Sequence, residues 1–504
     1  MSEQSKVRVP ILEQIRTMKW NFWVANGIEA LERLAFFGVR AVVGLYMYGE
    51  TSALHLTMTE KGMIFGIWAL IQCLVPMVSG GYTDTYGYRK SMYVAFAINI
   101  VGYCTMANAN GFWIMMLAAC LVGTGTAIFK PPVQGSVAKS LNDGNSSLGF
   151  GIFYLLVNVG GLLAPMGAAM LRGDPLDQPT WSYVFYGAAI VTATAYIPAT
   201  FLFREPEIDQ KAKDKKPVQV FKETMGTLWR DQPMLRFLLV VSGFWFMFMQ
   251  LWDLLPNFLD EWVDTRDVGA MASNLLGDSA GPWLMADGAL KPEMLINIDS
   301  AAIVLLVLPI SWFFGRFKMM TSLVLGMLIA TVGFTLSGMG QAGTFAAIMI
   351  FVFAIGEIIC SPKFSEFIGM TAPPDKKAIY MGYSNIPFAI GWAVGNWASG
   401  PLYDNFSSRT DLARTWLVEQ GGMAAEAVEA IPGEDVLNTM VTTMGAGADT
   451  YTATTVLWDA YHPWMIWPML GSVGLLSVLG MIWNYLQAQK SQPATAVKHK
   501  IEVD

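Results

Sequence analysis

Twelve mostly apolar windows follow one another along the chain, at about 20–47, 58–80, 91–108, 112–137, 148–171, 181–203, 235–256, 297–315, 320–339, 344–369, 378–401 and 463–487. Each is close to the roughly 20 residues that a helix needs to cross a hydrocarbon layer of about 30 Å. Lipid offers no hydrogen bonds to an exposed backbone, so such windows are confined to helices that satisfy their own N–H and C=O groups. Composition agrees: of 504 residues, 54% are hydrophobic and only 14% charged. An all-α, multi-pass protein of a cell membrane is expected, with the bacterial inner membrane as its expected location. Residues 1–19 are polar and lack the apolar core of a cleavable signal, so the first window is expected to act as the insertion signal. Cys73, Cys104, Cys120 and Cys360 are scattered through apolar windows and read as packing residues rather than disulfide partners or metal ligands.

Orientation follows from the basic residues. With twelve alternating spans and both termini cytoplasmic, one side collects Lys6, Arg8, Arg16, Arg89, Lys90, Lys139, Arg204, Lys211–Lys216, Lys222, Arg230, Arg316, Lys318, Lys376, Lys377, Lys490, Lys498 and Lys500. The other keeps Lys61, Arg172, Arg266, Lys291, Arg409 and Arg414. A charged linker at 204–234 divides the chain into an amino-terminal bundle, 1–203, and a carboxy-terminal bundle, 235–487, followed by a tail at 488–504. Two outer segments, about 257–296 and 402–462, are acidic and rich in Gly, Asp and Ala, and are expected to form short helices or lids rather than a separate domain. Two six-helix bundles joined by a polar cytoplasmic linker are the organisation of the major facilitator fold, whose halves rock about a midplane site. The loop after the second window contains Gly81, Asp84, Gly87, Arg89 and Lys90 and resembles that superfamily's signature between its second and third helices.

Six of the charged residues inside the apolar windows stand out: Glu29, Glu32, Arg33, Arg40, Lys130 and Glu357. Each would cost roughly 2.5–3.5 kcal/mol facing lipid, on the order of 15 kcal/mol together. They are expected to line a water-accessible cavity, pair with one another, and handle a charged solute or a proton, which points to a transporter. Glu29 lies three and four residues from Glu32 and Arg33, so all three can meet on one helix face. Two acids sharing one base cannot both ionise comfortably, so a proton should be shared or readily taken up. A static ion cluster kept for packing is the alternative. Lys130 precedes Pro131 and Pro132, which are expected to bend its helix; its side chain either snorkels to the cytoplasm or points into the cavity. Arg40 and Lys130 in one half suit a carboxylate, and Glu357 in the other suits an amine.

The run from Glu29 to Arg40, including Phe36 and Phe37, resembles the first-helix motif of the proton-dependent oligopeptide transporter family. Residues 150–162 (FGIFYLLVNVGGL) resemble its fifth-helix signature, and Lys130-Pro131 and Gly356-Glu357…Ser361-Pro362 look like its fourth and tenth helices. The resemblance covers about 20–170, with a weaker continuation near 345–400. It implies that Glu29, Glu32, Arg33 and Lys130 couple protonation to gating. It also implies that Arg40 and Lys130 hold a peptide carboxylate, Asn158 bonds the peptide backbone, and Glu357 takes the amino terminus. Trp245, Gln250, Asn297 and Asn385 are further candidates for the pocket. The chain departs from the family where Phe36-Phe37 replaces tyrosines, where its second helix lacks Tyr and His, where Ile298-Asp299 follows Asn297 in place of Pro, and where Asn385-Ile386-Pro387 stands at a common Trp position. The extra helix pair of many bacterial members does not fit within 204–234. These departures leave the substrate open.

The expected function is therefore proton-coupled import of di- and tripeptides or similar small zwitterions by alternating access. The expected partners are the solute, protons and the bilayer, with no nucleic acid, no cofactor beyond the proton gradient, and a monomer open as the assembly state. A carrier or exporter of another anionic or zwitterionic solute, and a transporter-like receptor, are the alternatives. An enzyme is disfavoured, since no nucleophile–base pair, metal cluster or phosphate loop is visible.

Overall fold

A computed structural model gives the fold and describes residues 11–49, 52–142, 145–172, 180–206, 225–371, 380 and 383–490. The expected basic residues Lys6, Arg8, Lys211–Lys216, Lys222, Lys376, Lys377, Lys498 and Lys500 lie outside the described residues. One group of helices comprises α1 (Trp20–Met47), α2 (Met58–Leu74, continued by Pro76–Tyr86), α3 (Tyr88–Ala107), α4 (Phe112–Lys139), α5 (Ser146–Arg172) and α6 (Trp181–Thr194, continued by Tyr196–Phe201). A second comprises α7 (Gln232–Phe248, continued by Gln250–Asp253 and Leu255–Trp262), α8 (Pro292–Phe314), α9 (Met319–Ser337), α10 (Gly343–Thr371), α11 (Asn385–Phe406) and α12 (Ile466–Lys490). Among the described residues, nine helical stretches are long and apolar enough to cross a membrane. The other expected windows coincide with α1, α3 and much of α11, which carry more charged or polar residues.

Within the first group α1 packs on α4, α5 and α6, while α3 packs on α4 and α6; within the second α9 lies along α10, and α7 rests on α11 and α12. The groups meet along two seams, α2 against α11 and α5 against α8. Buried residues around Phe22, Ile28, Phe96 and Phe129 fill the first group near the Trp20 end, and Val39, Val43, Trp68 and Phe185 fill it near the other. A single core around Phe244, Phe248, Phe353 and Trp467 fills the second group. At the Trp20 end, Lys19 Nζ donates to the Lys139 carbonyl at 3.3 Å and Asn21 donates to the Arg204 carbonyl. That end also carries Arg89 and Lys90, so the bias of basic residues makes it cytoplasmic.

α4 runs on through Pro131 and Pro132, the prolines expected to bend it. Proline at 131 deprives the Ala127 carbonyl of its helical donor, and the Ser79 hydroxyl of α2 donates to that carbonyl at 3.3 Å. A neighbouring hydroxyl thus repairs the break, as a low-dielectric setting demands. The signature segment is helix rather than loop through Gly81 and Asp84, ending at Gly87, whose φ of +102° is open to glycine and strained for other residues. The side chain of Asp84 lies outside what is described. Glu205 accepts from the Tyr88 and Arg89 backbone N–H groups, the second at 3.2 Å, and so caps α3. Arg89 donates to the Phe203 carbonyl, whereas Lys90 is exposed.

Both outer segments form short helices, as expected. Leu255–Trp262, Arg266–Leu276 and a 3-10 turn at Gly277–Trp283 precede α8, which begins at Pro292. The 402–462 segment supplies Arg409–Glu419, Val436–Met444 and Thr450–Tyr461, as expected for short helices. Arg266 donates to Asp264 at 2.6 and 2.9 Å, holding that carboxyl below its usual range, and lies 3.6 Å over the Tyr451 ring, joining the two segments.

Close approach at the α2–α11 seam depends on missing side chains. A Cβ added at Gly62 would lie 2.3 Å from the Asn396 carbonyl oxygen, and one at Gly66 2.0 Å from Trp397 Nε1. Gly62→Ala, which meets unyielding backbone, should destabilise the protein by about 1–3 kcal/mol. This is read as a lowered thermal unfolding midpoint in detergent; an unchanged midpoint would mean the helices are not so close in solution.

Candidate functional site

A chamber of about 370 Å³ lies between the two groups, lined by Arg33, Phe36, Phe37, Arg40, Lys130 and Asn158 from the first and by Glu293, Asp299, Glu357, Asn385 and Trp392 from the second. Its amino-terminal wall begins with the acid–base cluster of α1. Arg33 Nε lies 3.1 Å from Glu29 Oε1, one turn away, and the same guanidinium pairs with Glu32. Thr126 of α4 donates to Glu32 Oε1 at 3.3 Å. All three charged residues are buried, and the guanidinium sits over Phe36 and Phe37 at 5.2 and 5.7 Å from the ring centroids. One base therefore serves two carboxylates, as the spacing predicts, and Lys130 stands within electrostatic reach of both.

Arg40 is not a free cation. It forms a salt bridge with Asp253 of α7, across the two groups, and its guanidinium packs over Phe65, Trp68 and Trp392. Asp253 also accepts from Trp392 Nε1 and, at 2.7 Å, from Asn396 Nδ2. Lys61 of α2, expected as an outer-face charge, is 1% exposed and donates to the Asp253 carbonyl and to Asn257 Oδ1. Asn257 in turn donates to the Gly44 and Tyr48 carbonyls at 3.3 and 3.0 Å. Asp404 of α11 caps α2 by accepting from the Met58 and Thr59 backbone at 2.9 and 2.8 Å. On the α5–α8 seam, Arg172 pairs with Glu293 at 3.3 Å, both buried, and Lys291 donates to the Ala169 carbonyl at 2.9 Å. These contacts form one outer layer, which closes the chamber on that side. Asp253, Lys61, Arg172 and Glu293 were missed because each lay near a window's edge, where a charge reads as a solvated loop residue.

Three of the expected pocket residues lie elsewhere. Trp245 is 3% exposed and packs inside the second group, its ring centroid 3.9 Å from that of Phe388. Gln250 is fully buried and accepts from Ser399 at 2.8 Å. Asn297 donates to the Leu162 carbonyl at 2.8 Å, holding the α5–α8 seam instead of facing the chamber. Asn158 does line the chamber, with its amide donating to the Tyr154 carbonyl at 2.8 Å.

The family model described as the Major Facilitator Superfamily matches residues 30–396. The chain belongs to that superfamily. It is a multi-pass membrane protein of a transporter family, not an enzyme. A curated relative, Multidrug resistance protein MdtH of Klebsiella pneumoniae, is 24% identical over 361 residues, covering 71% of this chain and 81% of the relative. Among solved structures, the nucleoside transporter NupG superposes with a TM-score of 0.64 at 11% identity, covering 92% of this chain and 99% of that one. A POT family transporter in complex with 5-aminolevulinic acid superposes with a TM-score of 0.61 at 15% identity, covering 89% and 99%. These likenesses show the fold that this facilitator shares with them.

Removing one partner of a buried pair leaves the other uncompensated, at a cost of about 3–5 kcal/mol. Asp253→Asn in this facilitator should therefore lose stability on that scale, and adding Arg40→Leu should recover part of the loss. A double-mutant cycle on thermal unfolding checks this; strictly additive effects would deny the direct pair.

Proposed function

We propose that this facilitator is a proton-coupled symporter importing di- and tripeptides or similar small zwitterions by alternating access. The observation that carries the reading is the placement of Lys130 on one wall of the chamber and Glu357 on the other, neither held in an ion pair among the described residues. A solute with a carboxylate at one end and an ammonium at the other neutralises both in one pose. Phe36, Phe37 and Trp392 supply apolar surface to the chamber, and Asn158 and Asn385 are among its neutral polar lining residues.

Coupling follows from Glu29, Glu32 and Arg33. Protonating one carboxylate releases part of the demand on Arg33 and removes a negative charge within electrostatic reach of Lys130. Proton entry would in this way alter how firmly Lys130 holds an anionic group. The outer layer of Arg40–Asp253 and Arg172–Glu293 would part when the chamber turns outward. A solved relative bound to 5-aminolevulinic acid, which carries both an amine and a carboxylate, is consistent with cargo of this kind. The name of the MdtH relative favours a second reading, export of other solutes in exchange for protons.

Proteoliposomes separate the two. An inward proton gradient should drive accumulation of a labelled dipeptide; expulsion of peptide or of a drug-like cation under the same gradient would favour export. Glu32→Gln should abolish accumulation while keeping counterflow exchange, and equal loss of both would remove Glu32 from the coupling step. Lys130→Ala should weaken peptides with a free C-terminus by about tenfold more than their amides, the size of one charge-assisted contact. Equal weakening would overturn the carboxylate assignment.

A further inference from the structure

The charges around the chamber do not balance. Arg33 is taken by Glu29 and Glu32, Arg40 by Asp253, and Glu293 by Arg172. Left over among the lining residues described are one cation, Lys130, and two acids, Asp299 and Glu357. Asp299 is fully buried, and neither of its carboxylate oxygens has a hydrogen-bond partner among the described residues; Glu357 Oε2 is likewise buried and unpartnered. The two sit on α8 and α10, which pack together, close enough to interact electrostatically. The neighbouring polar groups, Ser300, Tyr154 and Asn158, carry no charge. Two carboxylates in a low-dielectric wall repel each other and lack solvation, penalties that a proton or a bound cation relieves. A neutral zwitterion brings a single ammonium and leaves one acid uncompensated.

We propose that Asp299 and Glu357 together form a subsite for two positively charged nitrogen groups, so that the preferred cargo is a peptide with a basic side chain. The peptide part of this statement rests on the reading above; the two-acid subsite does not. In the bound pose the peptide carboxylate faces Lys130, while its amino terminus and basic side chain divide Asp299 and Glu357 between them. Asp299 is thereby a specificity-determining residue.

Binding of Ala-Lys, Ala-Gln and 1,5-diaminopentane to purified wild-type, Asp299→Asn and Asp299→Glu proteins tests this, with thermal unfolding confirming that each variant is folded. Ala-Lys should bind wild type about tenfold tighter than Ala-Gln, the value of one hydrogen-bonded charge pair. Asp299→Asn should reduce that ratio to about twofold, and Asp299→Glu should restore it, which a purely structural role would not do. If Ala-Lys and Ala-Gln bind wild type equally, or the ratio survives Asp299→Asn, the subsite is wrong while the peptide reading stands. If neither peptide binds but the diamine does, and loses binding in Asp299→Asn, the peptide reading falls and the subsite stands. Binding of none of the three overturns both.

Discussion

An ionised group with no partner is the most expensive thing this chain can place between its helices, and along the seams between its two helix groups the charges are paired. Helices in lipid gain little from hydrophobic association, because acyl chains are as apolar as leucine. Small residues and polar contacts must hold the two helix groups together instead. The seams show both: Gly62 and Gly66 let α2 reach α11, and the Arg40–Asp253 and Arg172–Glu293 pairs bridge between groups on the outer side. Each pair is weak evidence for net stability but strong evidence for register, since either partner alone would be stranded. A seam of this kind separates only when its charges find water or a proton.

The same constraint shapes the chamber. Its first wall ends in Lys130 and its second in Asp299 and Glu357, so a field runs across it between helices far apart in sequence. Of the cluster of Glu29, Glu32 and Arg33, Arg33 reaches the chamber wall beside Phe36 and Phe37 while both carboxylates pair with it. The outer helices add a further layer: His55 of the first group comes within 3.9 Å of Glu434 in the segment between α11 and α12. That segment is continuous with the second group through the Trp262 indole, which donates to the Ser407 carbonyl at 2.9 Å.

Much of this was legible from residue order, and the failures share a cause. Glu29, Glu32 and Arg33 were readable because their partners lie within one helical turn. Lys130 and Glu357 were readable because a charge in the middle of an apolar window has few innocent explanations. Asp253, Glu293, Lys61 and Arg172 were not, since each stands near the end of its span, where a hydropathy average cannot tell a solvated charge from one neutralised by a helix 100 residues or more away. Asp299 was seen only as an interruption of a motif. Trp245, Gln250 and Asn297 are polar or amphipathic residues on helices expected to border the pocket, but which neighbour each side chain meets depends on packing.

Taken alone, the sequence determined the all-α membrane fold, the position of most membrane-length helices, the orientation that the basic residues imply, and the presence of charge that must be sheltered. Those properties are local: they follow from the length of apolar runs, the bias of basic residues, and the cost of burying an ion. Tertiary structure decided which charges neutralise one another and which are left facing the chamber. Pairing depends on contacts between residues such as Arg40 and Asp253, 213 positions apart, and no periodicity along a single helix encodes the residue that another helix will bring to meet it.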